Sequence, residues 1–264
     1  MLAKKDFFMY LRVVISAFVF MFCTAVNAMS TVNFIAEDLH PYHFKNENGQ
    51  ADGALVDIAK AVLKITPLNA KFEIMPMARA FHELESNPNT ILLSLLKTPT
   101  RTNNFKWLGS VYFTDAYVVS LKSNKAQATH LNHTKFYKIG TIRGYSSAKY
   151  LKQMGFKEDK NLVLVSYYQQ LWQMLYKKRI DFALMNTLTL ENELKMSGLD
   201  PNLITKRIHL DDFPSMLYFA SNKMLEESTA NAISQALVII KQNGEYEAIL
   251  NKWKLPLPTT ANKL

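Results

Sequence analysis

Gly144-Tyr145-Ser146-Ser147 stands between a run that reads as a strand (137–142) and one that reads as a helix (147–154). Backbone N–H groups at such a helix start point at an anion, and Ser146 or Ser147 can cap the helix. With Ala148, the same letters also fit a nucleophile elbow whose last glycine is replaced. That chemistry needs a later acid and then a histidine. Only His209 follows, beside Asp211 and Asp212, so the order is met only through Asp181 or Asp200. A serine hydrolase would also leave the first half of the chain without a role, and anion binding is the stronger reading. The histidines raise a metal question, because His40 and His43 are three apart, as are His130 and His133. Neither pair has an evident third ligand. Both read as solvated loop histidines, and no metal or cofactor is expected.

The elements that position these residues alternate between strand and helix. Segments 32–36, 71–75 and 90–96 read as strands, the last buried because it is apolar without alternation. Between them, 52–65 and 78–85 read as helices, the first with Leu55, Ile58, Ala59 and Val62 on one face. Segment 111–121 is extended, and 123–134 is polar with no period. The pattern then restarts with strands at 137–142, 162–165 and 180–185 and helices at 147–154, 169–178 and 188–196. Extended runs at 203–208 and 216–220 precede two closing helices, 229–242 and 245–253, with Gly244 as terminator between them. Tyr167, Tyr168, Trp172 and Tyr176 include an aromatic stripe at helical spacing, which reads as core. Two rounds of alternation imply an α/β fold of two lobes with mainly parallel sheets.

The opening of the chain limits where it works. Lys4, Lys5 and Arg12 precede an apolar run at 13–22, and Val26 and Ala28 sit at the minus-three and minus-one positions of a cleavage site. This is the layout of a secretory signal peptide covering 1–28. No later segment approaches the ~20 apolar residues that a spanning helix needs. Cys23, the single cysteine, follows Phe22 where a lipoprotein signal would want a small residue. The expected product starts at Met29, is exported and soluble, and carries no thiol, which excludes disulfides and cysteine nucleophiles. Removing the leader takes Lys4, Lys5, Arg12 and Asp6 and lowers the formal charge from +9 to +7. The lysines are spread along the chain, and the longest basic run is Lys177-Lys178-Arg179. A general surface charge, without nucleic acid as partner, is the reading this supports.

Several segments, taken in order, resemble the bacterial periplasmic solute-binding proteins of family 3, the polar amino-acid type. Pro41-Tyr42 followed by 53–61 is similar to the family's first loop and helix. Thr98-Pro99-Thr100-Arg101 with Phe105-Lys106-Trp107-Leu108-Gly109 resembles its threonine-to-arginine turn and the strand after it. Segment 140–146 resembles the opening of its second lobe, 179–183 a later strand, and 243–253 its closing helix.

The resemblance implies that Arg101 clamps a ligand carboxylate, and a guanidinium's planar fork of donors matches one with two parallel hydrogen bonds. It implies that the turn at Tyr145 and Ser146 completes the carboxylate site from the second lobe, with Thr98 and Pro99 shaping the turn before Arg101. Arg79 could add a second positive group or sit solvated on its helix. Tyr42 lines the cleft or packs in the first core. The chain departs from the family's amino-acid pattern at three positions. Leu39 replaces the stacking aromatic, Leu96 a hydroxyl, and Asn186 the acid that pairs with the α-ammonium. For an enzyme on this scaffold, which would need an acid or base in the cleft, Glu37, Asp38 and Asp115 are possible replacements for Asn186. An ammonium needs more than one amide oxygen when it loses water, so common α-amino acids are expected to bind weakly.

The expected architecture is a leader at 1–28, a first lobe of 29–112 and 217–264, and a second lobe of 113–216. Hinge crossings are expected near 111–115 and 216–218. The expected function is capture of a small polar, carboxylate-bearing solute between the lobes by a monomer that serves a membrane importer or sensor, without catalysis. The rivals are an enzyme on the same scaffold, resembling cyclohexadienyl dehydratases, and a sensor module that binds no diffusible ligand.

Overall fold

The computed structural model describes residues 31–186 and 189–258, with the side chain of Asn186 outside that description. The leader, Cys23 and the start at Met29 also lie outside it. Among the described residues, twelve strands and seven α-helices alternate. The first sheet has the order β4-β1-β5-β12-β6, built from β1 (Thr31–Ala36), β4 (Asn69–Ile74), β5 (Thr90–Leu96), β6 (Lys106–Phe113) and β12 (Met216–Ser221). The second has the order β11-β7-β10-β8-β9, from β7 (Ala116–Leu121), β8 (Ile139–Ile142), β9 (Leu162–Val165), β10 (Phe182–Asn186) and β11 (Ile204–His209). A small ribbon, β2 (Phe44–Lys45) with β3 (Ala51–Asp52), lies beside the first. Each large sheet is mixed. Its strands run one way except for β12 in the first and β7 in the second, which are antiparallel to their neighbours.

Around the first sheet lie α1 (Ala54–Lys64), α2 (Met77–Ser86), α6 (Glu227–Gln242) and α7 (Glu245–Lys252). The apolar face read for α1 is the buried one, with Leu55, Ile58, Ala59 and Val62 at 0% exposure. Strand β5 is buried on both faces, as its mostly apolar run without alternation requires, with Ser94 alone half-buried. Around the second sheet lie α3 (Ser146–Gln153), α4 (Tyr168–Tyr176) and α5 (Leu190–Met196). The aromatic stripe is core at Tyr168 and Trp172, while Tyr167 is 45% exposed. Gly244 separates α6 from α7 in the left-handed region, at φ 83°.

The extended run 111–121 is two strands in different sheets. The break falls at Thr114 and Asp115, where the Thr114 N–H donates to the Ser215 carbonyl and Asp115 Oδ1 accepts from the Ala116 N–H. The chain returns after His209, and Met216 already pairs with Phe113 in the first sheet. The polar segment 123–134 leads into a short 3-10 turn, Leu131–Phe136, which buries Leu131 and Thr134.

Candidate functional site

Strands β1, β5 and β8 end on facing edges of the two sheets. The residues just past their carboxyl ends, Glu37, Arg101 and Tyr145-Ser146, meet around one cavity of about 40 Å³. Ligands of open α/β sheets sit at this edge. The cavity has room for roughly three or four water molecules at ~10–15 Å³ each. In this closed arrangement the chain's own side chains fill the space a larger solute would take.

Arg101 reaches the cavity from a turn closed by N–H bonds of Arg101 and Thr102 to the Thr98 carbonyl, at 2.9 and 3.0 Å. Its guanidinium is 8% exposed and stacks 4.8 Å over the Phe81 ring. It donates to the carbonyls of Leu96 and Gly144 at 3.4 Å each, both long contacts. Burial lowers its pKa to about 10, with Glu85 pulling the other way, so it keeps its charge at neutral pH. A charged fork with donors in reserve suits an incoming carboxylate.

Tyr145 and Ser146 complete the opposite wall. The Tyr145 hydroxyl donates to Glu37 Oε2 at 2.5 Å. Burial raises Glu37 to about 8, against the lowering effect of the Tyr145 bond, while Glu193 and Asp38 raise it further. Ser146 Oγ is buried and has no hydrogen-bond partner among the described residues. The capping role read for Ser146 or Ser147 is not realised. Helix α3 starts without a side-chain cap, and Ser147 Oγ is bonded to Thr141 Oγ1 at 2.7 Å instead. Tyr42 serves both readings given for it, being 2% exposed in the first core, 5.4 Å from the Tyr112 ring, while also lining the cavity. Leu39 and Leu96 form an apolar wall where the family pattern has an aromatic and a hydroxyl.

Arg79 is exposed on α2 and does not line the cavity. The backbone of Asn186 ends β10 opposite Ala116, but its side chain lies outside the described residues. Asp115 is bonded to His209 at 2.6 Å, away from the cavity, and His209 also contacts Asp211. The serine, acid and histidine order therefore does not form a triad at Ser146.

The reading of His40 and His43 as solvated is corrected. His43 is fully buried, with Nδ1 2.8 Å from the Glu37 carbonyl and Nε2 2.8 Å from Ser94 Oγ. A carbonyl can only accept, so Nδ1 carries the proton and Nε2 accepts from the serine. Burial pushes this imidazole down to about 4, and it stays neutral. His40 is half-buried, and its ring and carbonyl both meet Asn192 of α5, at 2.9 and 3.1 Å. His130 and His133 are exposed as expected. Among the described residues no three His, Cys, Asp or Glu side chains form a group that could hold a metal.

Sequence reasoning missed His43, Ser94 and the buried Glu193. Glu193 accepts from Trp172 Nε1 and Thr189 Oγ1 at 3.0 Å each. In the sequence Glu37 is only one of three acids open to an enzyme on this scaffold. Its place directly after β1 is the signal that singles it out.

Residues 32–256 match the model of the bacterial extracellular solute-binding proteins, family 3. A protein of Escherichia coli (strain K12), provisionally named ABC transporter arginine-binding protein 2, is 25% identical over 92% of this chain and 98% of its own length. The arginine-binding periplasmic protein of Mannheimia haemolytica is 24% identical over 81% of this chain and 86% of its own. Among solved structures, a histidine kinase sensor domain with similarity to periplasmic binding proteins superposes with a TM-score of 0.76 at 18% identity, covering 85% of this chain and 96% of that one. With two α/β sheets crossed twice by the chain, and a family match that spans both, this chain belongs to the bacterial extracellular solute-binding proteins, family 3.

Proposed function

We propose that the chain captures a small carboxylate-bearing solute, an amino acid or close analogue, between its two lobes and presents the closed form to a membrane importer or sensor. The observation that carries this reading is Arg101, a buried, charged guanidinium with donors in reserve, which lines the same cavity as the Ser146 hydroxyl, itself without a partner among the described residues. Arg101 takes the carboxylate, and Tyr145, Ser146 and Tyr42 surround the rest. An ammonium arriving beside Glu37 lowers its pKa again, so that Glu37 gives up its proton and pairs with the amino group as a carboxylate, which answers the objection raised by Asn186. Relatives named for binding arginine support an amino-bearing ligand, and the sensor-domain likeness leaves both destinations open. The lobes are 29–112 with 217–264, and 113–216, and they open about their two crossings as a monomer.

The test is a thermal-shift screen of the standard amino acids against simple carboxylates. A ligand at 100 times its Kd stabilises the folded form by ~2.7 kcal/mol, an easily read rise in melting temperature. If neither set shifts the transition, the reading fails.

One observation favours a second reading. Glu37, raised to about 8 beside Tyr145, holds a proton at neutral pH, as a dehydratase acid would. Incubation with a carboxylated cyclohexadiene, followed by ultraviolet detection of the aromatic product, tests it, and absence of product rejects it.

A further inference from the structure

The amino ends of β8, β9 and β10 lie at the opposite edge of the second sheet from the cleft, and Lys138, Asn161 and Asp181 stand just ahead of them. An open groove of about 970 Å³ there is walled by Lys135, Lys138, Lys157, Lys160, Lys178 and Arg179. None of these six makes an ion pair among the described residues. Asp181 is the one carboxylate among the described residues that line the groove, and its Oδ2 accepts the backbone N–H of Lys138 at 2.9 Å. Glu158, next to Lys157, is turned to Arg143 and Lys152. Asn161, 8% exposed, donates to the Lys135 carbonyl at 2.8 Å and accepts the Lys157 N–H at 2.9 Å. Asn161 and Asp181 thus lock the lysine-bearing segments side by side without neutralising them. Gathered like charges repel, and their field attracts an anion. Phe136 stands in the same groove with its side chain almost bare, at 88% exposure.

We propose that this groove docks the second lobe on an anionic lipid surface, with the lysines against phosphate head groups and Phe136 at the hydrocarbon boundary. The pairing of solvated cations with a bare aromatic ring selects this occupant. A lipid interface supplies negative charge and an apolar layer within one side-chain length, and aromatic rings and basic residues favour that boundary. An acidic protein would satisfy the lysines but leave the ring without a partner.

Flotation of the purified protein with phosphatidylcholine vesicles, with and without phosphatidylglycerol, tests the proposal. Binding should require the anionic lipid and fall as salt is raised. Each lysine removed should weaken partitioning roughly five-fold, so Lys138→Gln with Lys160→Gln should lose about 25-fold. Phe136→Ser should weaken binding while leaving its salt dependence intact. These side chains are exposed, so melting temperatures should stay with the parent's. Arg101→Ala, in the other cleft, should float normally. Absence of binding to phosphatidylglycerol at low salt, equal binding to both vesicles, or variants that float like the parent would overturn the proposal. Capture of heparin without capture of vesicles would overturn it too, and assign the groove to a soluble polyanion.

Discussion

The Tyr145 hydroxyl and the Glu37 carboxyl, 2.5 Å apart, join the loop after β8 to the loop after β1 and so tie one sheet to the other. Burial raises Glu37 to about 8 in this closed form. A carboxyl raised on folding contributes stability that is complete below its ordinary value, near 4.5, and is lost as pH climbs through the raised one. Opening the cleft lets water reach the ionised carboxylate, so closure should titrate before folding does. Small-angle scattering from pH 4.5 to 8.5 should show the radius of gyration growing with pH in the parent and flat in Glu37→Gln. Identical curves would mean that this bond does not govern closure.

His43 acts in the opposite sense. Burial depresses its pKa to about 4, so its contribution is present above the ordinary value of 6.5 and is lost as pH falls through about 4. His43→Leu leaves the Ser94 hydroxyl and the Glu37 carbonyl without their bonds and should cost about 1–3 kcal/mol at pH 7. Urea unfolding at pH 7 and pH 5 should find that penalty shrinking in acid. A constant penalty would contradict a neutral, buried imidazole.

Arg101→Ala should weaken binding of whichever amino acid gives the largest thermal shift. Removing one partner of a buried, hydrogen-bonded charge pair costs about 2–5 kcal/mol, or roughly 30-fold and more in Kd. Ser146→Ala should cost far less, because the turn also presents backbone N–H groups. Calorimetric titration of both variants decides. Parent-like binding by a well-folded Arg101→Ala would move the anchor elsewhere, and the exposed Arg79 would have to swing inward to serve.

Segments 90–96 and 162–165 were legible because each is a short apolar run bounded by polar residues, and β5 and β9 match those limits. The break inside 111–121 was not, because Thr114 and Asp115 mark a change of sheet, which local periodicity cannot register. His43 reads as a loop histidine among its neighbours, and its burial depends on Ser94, far along the chain. The basic groove was hidden for the same reason. Its cations lie scattered between Lys135 and Arg179, and only the parallel pairing of β9, β8 and β10 gathers them. Arg101 and the Tyr145-Ser146 turn could be found because both follow strands at the edge where such sheets bind ligands.

Gly144 should decide how far the two lobes close. It sits at φ +88°, and a Cβ added there would lie 2.9 Å from the Ala78 N and 3.0 Å from its Cα, at the start of α2. That contact crosses from the second sheet to the first, so the collision exists only while the cleft is closed. The positive φ would cost alanine about 1–2 kcal/mol whether the cleft is open or shut. Gly49, at φ +73° with nothing within 4 Å of an added Cβ, supplies the comparison, since Gly49→Ala carries the backbone cost without the collision. Both variants should therefore melt a few degrees below the parent. Gly144→Ala alone should bind its amino acid at least ten-fold more weakly, because the bound form must close against the added methyl group. Should the two variants bind alike, Gly144 and α2 do not touch in the ligand-bound form, and the carbonyl that Gly144 gives to Arg101 would have no part in closure.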